Sequence, residues 1–169
     1  MITPQSLNDL TVEAFIFIGV GNCCLAASMV LHDAATLAGH TSKVETGYWY
    51  DPKDKVGGRH AWVTINGEDF DVAHSLNVRI DNSERYSVNP GEDAELLGRL
   101  RLSLEKPPGI RLLDNKAEWE YLIPDYWNNV CREGKVGVLI WMMRDRVLSQ
   151  VRNGTVLAYT RLLQDENTT

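Results

Sequence analysis

The stretch His60-Ala-Trp-Val-Thr-Ile-Asn-Gly-Glu-Asp-Phe-Asp71 decides how this chain is read. Trp62, Val63, Thr64 and Ile65 favour a pleated strand, and His60 to Ile65 alternates moderately in polarity. Asn66-Gly67 is a pair suited to a two-residue hairpin turn, because both central positions of that turn need positive φ. A returning strand is therefore expected over Glu68 to Ala73. His60 would open the first strand and Asp71 would lie on the second, so their side chains can meet at one end of the hairpin. An acid beside an imidazole fixes its tautomer and stabilises the imidazolium.

Upstream, residues 22 to 38 are rich in Ala, Leu and Met and predict a helix, with Asn22 as N-cap and Gly39 as its stop. Asp33 is its only formally charged residue, so this helix should be central. Cys23 and Cys24 sit at its start, where unpaired N–H groups favour a thiolate over a thiol. A neighbouring imidazole adds a proton acceptor, and such pairing lowers a thiol pKa from about 8.5 to roughly 3.5–7.5. A thiol, an imidazole and an acid are the parts of a nucleophile, its base and the group that orients the base. On the helix-start argument alone, Cys23 and Cys24 are equal candidates. The backbone N–H of the reactive cysteine supplies one oxyanion donor, with Asn22 and Trp62 as candidates for a second.

The rest of the first half fits around this pair. The first dozen residues read as a polar lead-in or a capped helix start, and residues 12 to 18 as a short apolar element. Lys43 to Tyr50 carries Val44 and the aromatic run Tyr48-Trp49-Tyr50, a strand. Asp51 to Gly58 reads as a polar loop signalled by Pro52 and paired glycines. Downstream, residues 81 to 93 read as a loop and 93 to 105 as a helix, with a break at Lys106-Pro-Pro-Gly. Residues 116 to 132 are helical but interrupted at Pro124. Val136 to Arg152 is a long helix, Val156 to Leu163 continues the pattern, and the tail from Asp165 to Thr169 frays. The expectation is an α+β fold in one domain over residues 1–169, with a core at 12–75 and a mostly helical extension at 76–169 packed on it.

Composition narrows the function classes. Of the 169 residues 44% are hydrophobic and 24% charged, as in an ordinary globular chain, and the net charge of −6 argues against a general nucleic-acid binder. Arg99, Arg101, Lys106 and Arg111 lie among enough acids to read as solvated surface. Three cysteines, two of them adjacent, do not make a disulfide framework, which points to a reducing compartment and a cytoplasmic location. The apolar run from Ala14 to Leu31 lacks a cationic start and is broken by Gly19, Gly21 and Asn22, so neither a signal peptide nor a membrane span is expected. Asn153-Gly-Thr and Asn167-Thr-Thr fit the glycosylation pattern, which matters only in a secreted chain. Adjacent cysteines seldom ligate one tetrahedral ion, so no metal is expected. His32, His40 and His74 read as structural or exposed, Cys131 as a core thiol, and the tryptophans as core.

Cys24, Gly39, Gly47-Tyr48, His60-Ala61-Trp62-Val63 and Asp71 together resemble the core of the transglutaminase-like superfamily, rearranged relatives of the papain-like cysteine peptidases. The resemblance covers about fifty residues. It departs at Thr64, where many members carry Glu, and at Val72, where Pro usually follows the Asp. Gly21-x-Cys23 fits the family's glycine, but the fifteen residues from Cys24 to Gly39 fit its helix, which favours Cys24. The resemblance implies a cysteine helix packed on a small antiparallel sheet, with Cys24 as nucleophile, His60 as general base and then acid, and Asp71 orienting it. It also implies a peptide or protein substrate with a glutamine-like amide, a thioester intermediate and no metal or organic cofactor. Peptidase, amidase or deamidase, and amine acyltransferase all stay open. So does a catalytically silent member whose groove binds a peptide partner. Oligomeric state is not indicated.

Overall fold

Thr3-Pro4 starts the first helix, α1 (Pro4–Ile18). The Thr3 hydroxyl accepts the Ser6 backbone N–H at 3.1 Å, and Pro4 takes the first helical position, where a missing N–H costs nothing. The apolar segment at 12–18 is thus the second half of a helix that begins inside the apparent lead-in, and Leu7, Val12 and Phe15 have no exposed surface. The computed structural model describes residues 2–18, 23–51, 56–73, 111–113 and 118–155. Expectations for Asn22, His74, the loop at 81–93, the helix at 93–105, the Lys106 break, the segment at 156–163, Asn167 and the tail lie outside the described residues.

The cysteine helix α2 spans Cys24–Leu37, and Cys23, not Asn22, holds its N-cap position. Its C-terminus matches the expectation for Gly39. That residue has φ +87°, and the N–H groups of Gly39 and His40 reach back to the carbonyls of Thr36 and Ala35, each at 3.0 Å. Ala27, Val30, Leu31, Ala34 and Ala35 are fully enclosed, so the helix is central as its apolar composition requires. It packs against α1, the two long strands and the last helix.

The sheet is antiparallel with strand order β3-β2-β1-β4. Its strands are β1 (Ser42–Asp51), β2 (Val56–Ile65), β3 (Glu68–Phe70) and β4 (Arg111–Leu113). Asn66 (φ 53°) and Gly67 (φ 89°) form the two-residue turn between β2 and β3. Two expectations need correction. Gly57 and Gly58 are strand, paired with Tyr50 and Trp49, so the loop is shorter than its glycines suggest. His60 is consequently the fifth residue of a ten-residue strand rather than its opening residue. A partner strand supplies the ladder that glycine's low strand propensity alone would not. β4 has no local signal; its three residues form a strand only because Tyr48 to Tyr50 offer an edge.

After a 3-10 segment (Glu118–Asp125) that contains Pro124 come α3 (Tyr126–Val130) and α4 (Gly134–Asn153), so the helical pattern breaks at Pro124 as read. A Cβ at Gly137 would lie 2.0 Å from the Val130 carbonyl oxygen, so only glycine lets α4 approach α3 this closely. Cys131 is exposed, against its expected place in the core, because it lies just past the end of α3. Arg144 ties this section to the cysteine helix. Its Nε donates to Asp33 Oδ2 at 2.6 Å, and its guanidinium lies 4.9 Å and 5.0 Å from the ring centres of Trp127 and Trp141. Val30, Val63, Val130 and Val147 belong to one continuous core, so the C-terminal helices close the same apolar interior as the sheet. Among the described residues no helix is long and apolar enough to cross a membrane.

Candidate active site

Along β2, Ala61, Val63 and Ile65 point to one face and His60 and Trp62 to the other, and all five are buried. Burial on both faces makes the even positions a place where polar groups must find partners. His60 finds one in Asp71, the first residue after β3. The His60 Nε2–H donates to Asp71 Oδ2 at 2.7 Å, and each side chain is only 8% exposed. The pairing follows from the turn. β2 and β3 hold Val63 opposite Phe70, so Asp71 falls one step further along the hairpin and reaches diagonally to His60.

Cys24 is also near enough to the same imidazole to influence its pKa. With Nε2 engaged by Asp71, Nδ1 is the nitrogen left for sulfur. Burial is the largest single influence on His60 and pulls its pKa down. The hydrogen bonds to Asp71 and Cys24, with the charges of both, outweigh burial and raise it to about 9. Cys24 is the first residue of α2, and the Cys23 side chain makes no capping bond. The first-turn N–H groups of α2 therefore have no side-chain cap from Cys23.

The two adjacent cysteines differ sharply. Cys23 packs against the hydrophobic core, and burial, with the neighbouring Cys24 charge adding to it, pushes its thiol up to about 12. It is a protonated packing group at neutral pH. Cys24, and not Cys23, is the cysteine whose influence helps to raise the pKa of the imidazole. Trp62 lies beside His60 with ring centres 6.5 Å apart and planes inclined by 20°. His32 and His40 have structural partners. The His32 Nδ1 meets the Ser42 hydroxyl at 2.8 Å, and the His40 Nε2–H donates to the Ile2 carbonyl at 2.9 Å. Among the described residues no three His, Cys, Asp or Glu side chains cluster to hold a metal.

One group at the site went unread in the sequence. Tyr126, at the start of α3, is 7% exposed, and its pKa is raised by burial and by the charges of Glu133 and of both cysteines. It is a protonated donor close to the cysteine pair. Nothing in Asp125-Tyr126-Trp127 signals this, since the proximity arises across about a hundred residues of chain.

Comparison with known proteins gives no match. No protein family, curated protein or solved structure is similar enough to this chain to be matched to it.

Proposed function

We propose that this protein is a cysteine-dependent acyl-transfer enzyme with a transglutaminase-like core, acting on a peptide or glutamine-like amide. The observation that carries the reading is the buried His60–Asp71 hydrogen bond, with Cys24, at the start of a buried helix, near enough to shift the same imidazole. In the reaction, Cys24 Sγ attacks the amide carbon as a thiolate, beside a His60 that already holds its proton at neutral pH. The raised pKa of His60 keeps it in the imidazolium form at neutral pH, so it serves first as the acid that protonates the leaving amine. Asp71 holds the imidazolium. The N–H groups of the first turn of α2 stabilise the oxyanion, with the Tyr126 hydroxyl as second donor. Collapse of the tetrahedral adduct expels the amine, which leaves with the proton from His60, and a thioester remains on Cys24. Water or a second amine then attacks the thioester, gives its proton to His60, and displaces sulfur as the thiolate. Every proton is returned without a cofactor. A reducing compartment such as the cytoplasm suits the free thiols.

The test is alkylation by iodoacetamide at neutral pH, with the modified residue located by mass spectrometry. Cys24 should react at least tenfold faster than glutathione, His60→Ala should remove most of that advantage, and Cys23 should stay unmodified. A Cys24 that reacts no faster than glutathione, or a rate indifferent to His60, refutes the assignment. Incubating peptides with wild type and Cys24→Ala then separates cleavage, deamidation and amine addition by their mass changes.

A further inference from the structure

Half of the large apolar side chains that lie exposed among the described residues belong to the first three turns of α4: Val136, Val138, Leu139 and Met142. One face of this helix, with Ile140, Met143, Val147 and Val151, is buried in the core. At about 3.6 residues per turn, the opposite face carries Lys135, Val138, Leu139, Met142, Asp145 and Ser149. On a helix with one solvated side these outward positions would be polar or charged. Here the middle three are apolar and adjacent, and Val138 and Met142 are 58% and 55% exposed. They form a contiguous patch, not a scatter of single side chains. Arg146, one turn beyond Met142, holds its guanidinium 4.8 Å from the ring centre of Phe17, which is also exposed, so the patch extends to the end of α1.

The charges at the two ends of the stripe indicate what covers it. Exposed Lys135 stands one turn before Val138, and Asp145 one turn after Met142. Asp145 is 63% exposed, and its ion pair with Arg144 is long, at 3.8 Å. Along the face the order is cation, apolar, anion, a pattern that is complemented by its own reverse. A second copy laid antiparallel, with a two-fold axis at the level of Ile140, sets Val138 opposite Met142 and Lys135 opposite Asp145, each pairing made twice. Leu139 then lies beside the axis. A parallel pair would set Lys135 against Lys135 and Asp145 against Asp145, and like charges so placed repel.

We infer that the outward face of α4 is a two-fold, antiparallel interface with a second copy of this chain, closed by Val138, Leu139 and Met142 and registered by reciprocal Lys135–Asp145 ion pairs. From Lys135 to Asp145 the helix runs about 15 Å. A face of that length falls short of the about 800 Å² per partner of a standard interface, so the dimer is weak, with a Kd on the order of 10–100 µM. It does not depend on the chemistry at Cys24.

The experiment is sedimentation equilibrium of the full chain over about 5–500 µM, a range that brackets this Kd. A reductant keeps the exposed Cys131 thiols from linking two copies. Wild type should pass from monomer to dimer across the range. Met142→Glu, at an exposed position the fold does not need, should weaken association at least thirtyfold by burying a charge in the contact. Lys135→Glu and Asp145→Lys should each weaken it about tenfold, since each sets like charges opposite one another twice. Mixed in equal amounts, these two variants should associate with each other about as tightly as wild type does, because both pairings are then between opposite charges. A misfolded variant cannot imitate that recovery. Wild type that stays monomeric at the highest concentration overturns the inference, and so does a dimer indifferent to Met142→Glu. A mixture that associates no better than either variant alone overturns the antiparallel register.

Discussion

Replacing Asp71 by asparagine should flatten the pH dependence of stability, and the size of the effect follows from His60. An imidazole in the unfolded chain titrates near 6.5, and in the folded protein His60 is raised to about 9. The difference of about 2.5 units corresponds to about 3 kcal/mol. Because the folded value is the higher one, the native state binds the proton more tightly than the unfolded state. The stabilisation is therefore complete below about pH 6.5 and is lost as pH rises through about 9. Across that window His60 should make unfolding free energy fall by about 1.4 kcal/mol per pH unit. Asparagine keeps the shape of Asp71 but removes its charge. Burial, already the largest single influence on His60, would then dominate and return its pKa toward or below the free value. Asp71→Asn should thus be less stable than wild type by about 3 kcal/mol near pH 6.5, with the gap closing toward pH 9. Cys23 adds its own linkage only above the ordinary thiol value of about 8.5. There the unfolded thiol ionises while the folded one, pushed up to about 12, keeps its proton, so stability falls further. Urea unfolding followed by tryptophan fluorescence between about pH 6 and 8.5 isolates the histidine, and its ring titration by NMR gives the same pKa independently. A wild-type curve no steeper than that of Asp71→Asn, or a His60 titrating at 6.5 or below in wild type, would refute the reasoning.

Two other substitutions probe the parts that bring the site together. Tyr126→Phe should slow acylation of Cys24 by a p-nitrophenyl ester by about ten- to a hundredfold relative to alkylation by iodoacetamide, since only acylation develops an oxyanion; an unchanged ratio of the two rates rules out the hydroxyl as a donor. Gly137→Ala should cost about 1–3 kcal/mol, because the new methyl would meet the Val130 carbonyl at 2.0 Å and must push α3 away from α4. A thermal melt should show the loss, and a variant as stable as wild type would mean that the two helices can part at little cost.

Local chemistry accounts for what could be read directly. Asn66-Gly67 specifies its turn because the required φ values are a property of those two residues, and Gly39 ends α2 for the same reason. The hairpin then fixes the register that delivers Asp71 to His60. Where the reading failed, a distant partner had overridden local preference. Gly57 and Gly58 look like loop and are strand because β1 pairs with them, which moves His60 from the start of β2 to its middle. Thr3-Pro4 begins a helix inside a stretch that reads as a polar lead-in, because the far side of that stretch buries Leu7 in the core.

The sequence by itself determined the α+β character, the central cysteine helix with its glycine stop, and the three residue types that meet at the site. It left Cys23 and Cys24 equal on chemical grounds, since both stand at the same helix start. The family-like spacing to Gly39 favoured Cys24, and tertiary packing separates the two further, burying the Cys23 thiol against the core and leaving Cys24 as the one that influences the imidazole. Packing also placed Tyr126 near the pair and in the wall of an acid-lined cavity. Turns and caps are written in a few neighbouring residues. Burial and pKa depend on chain segments far apart in sequence, so only the folded structure could decide them.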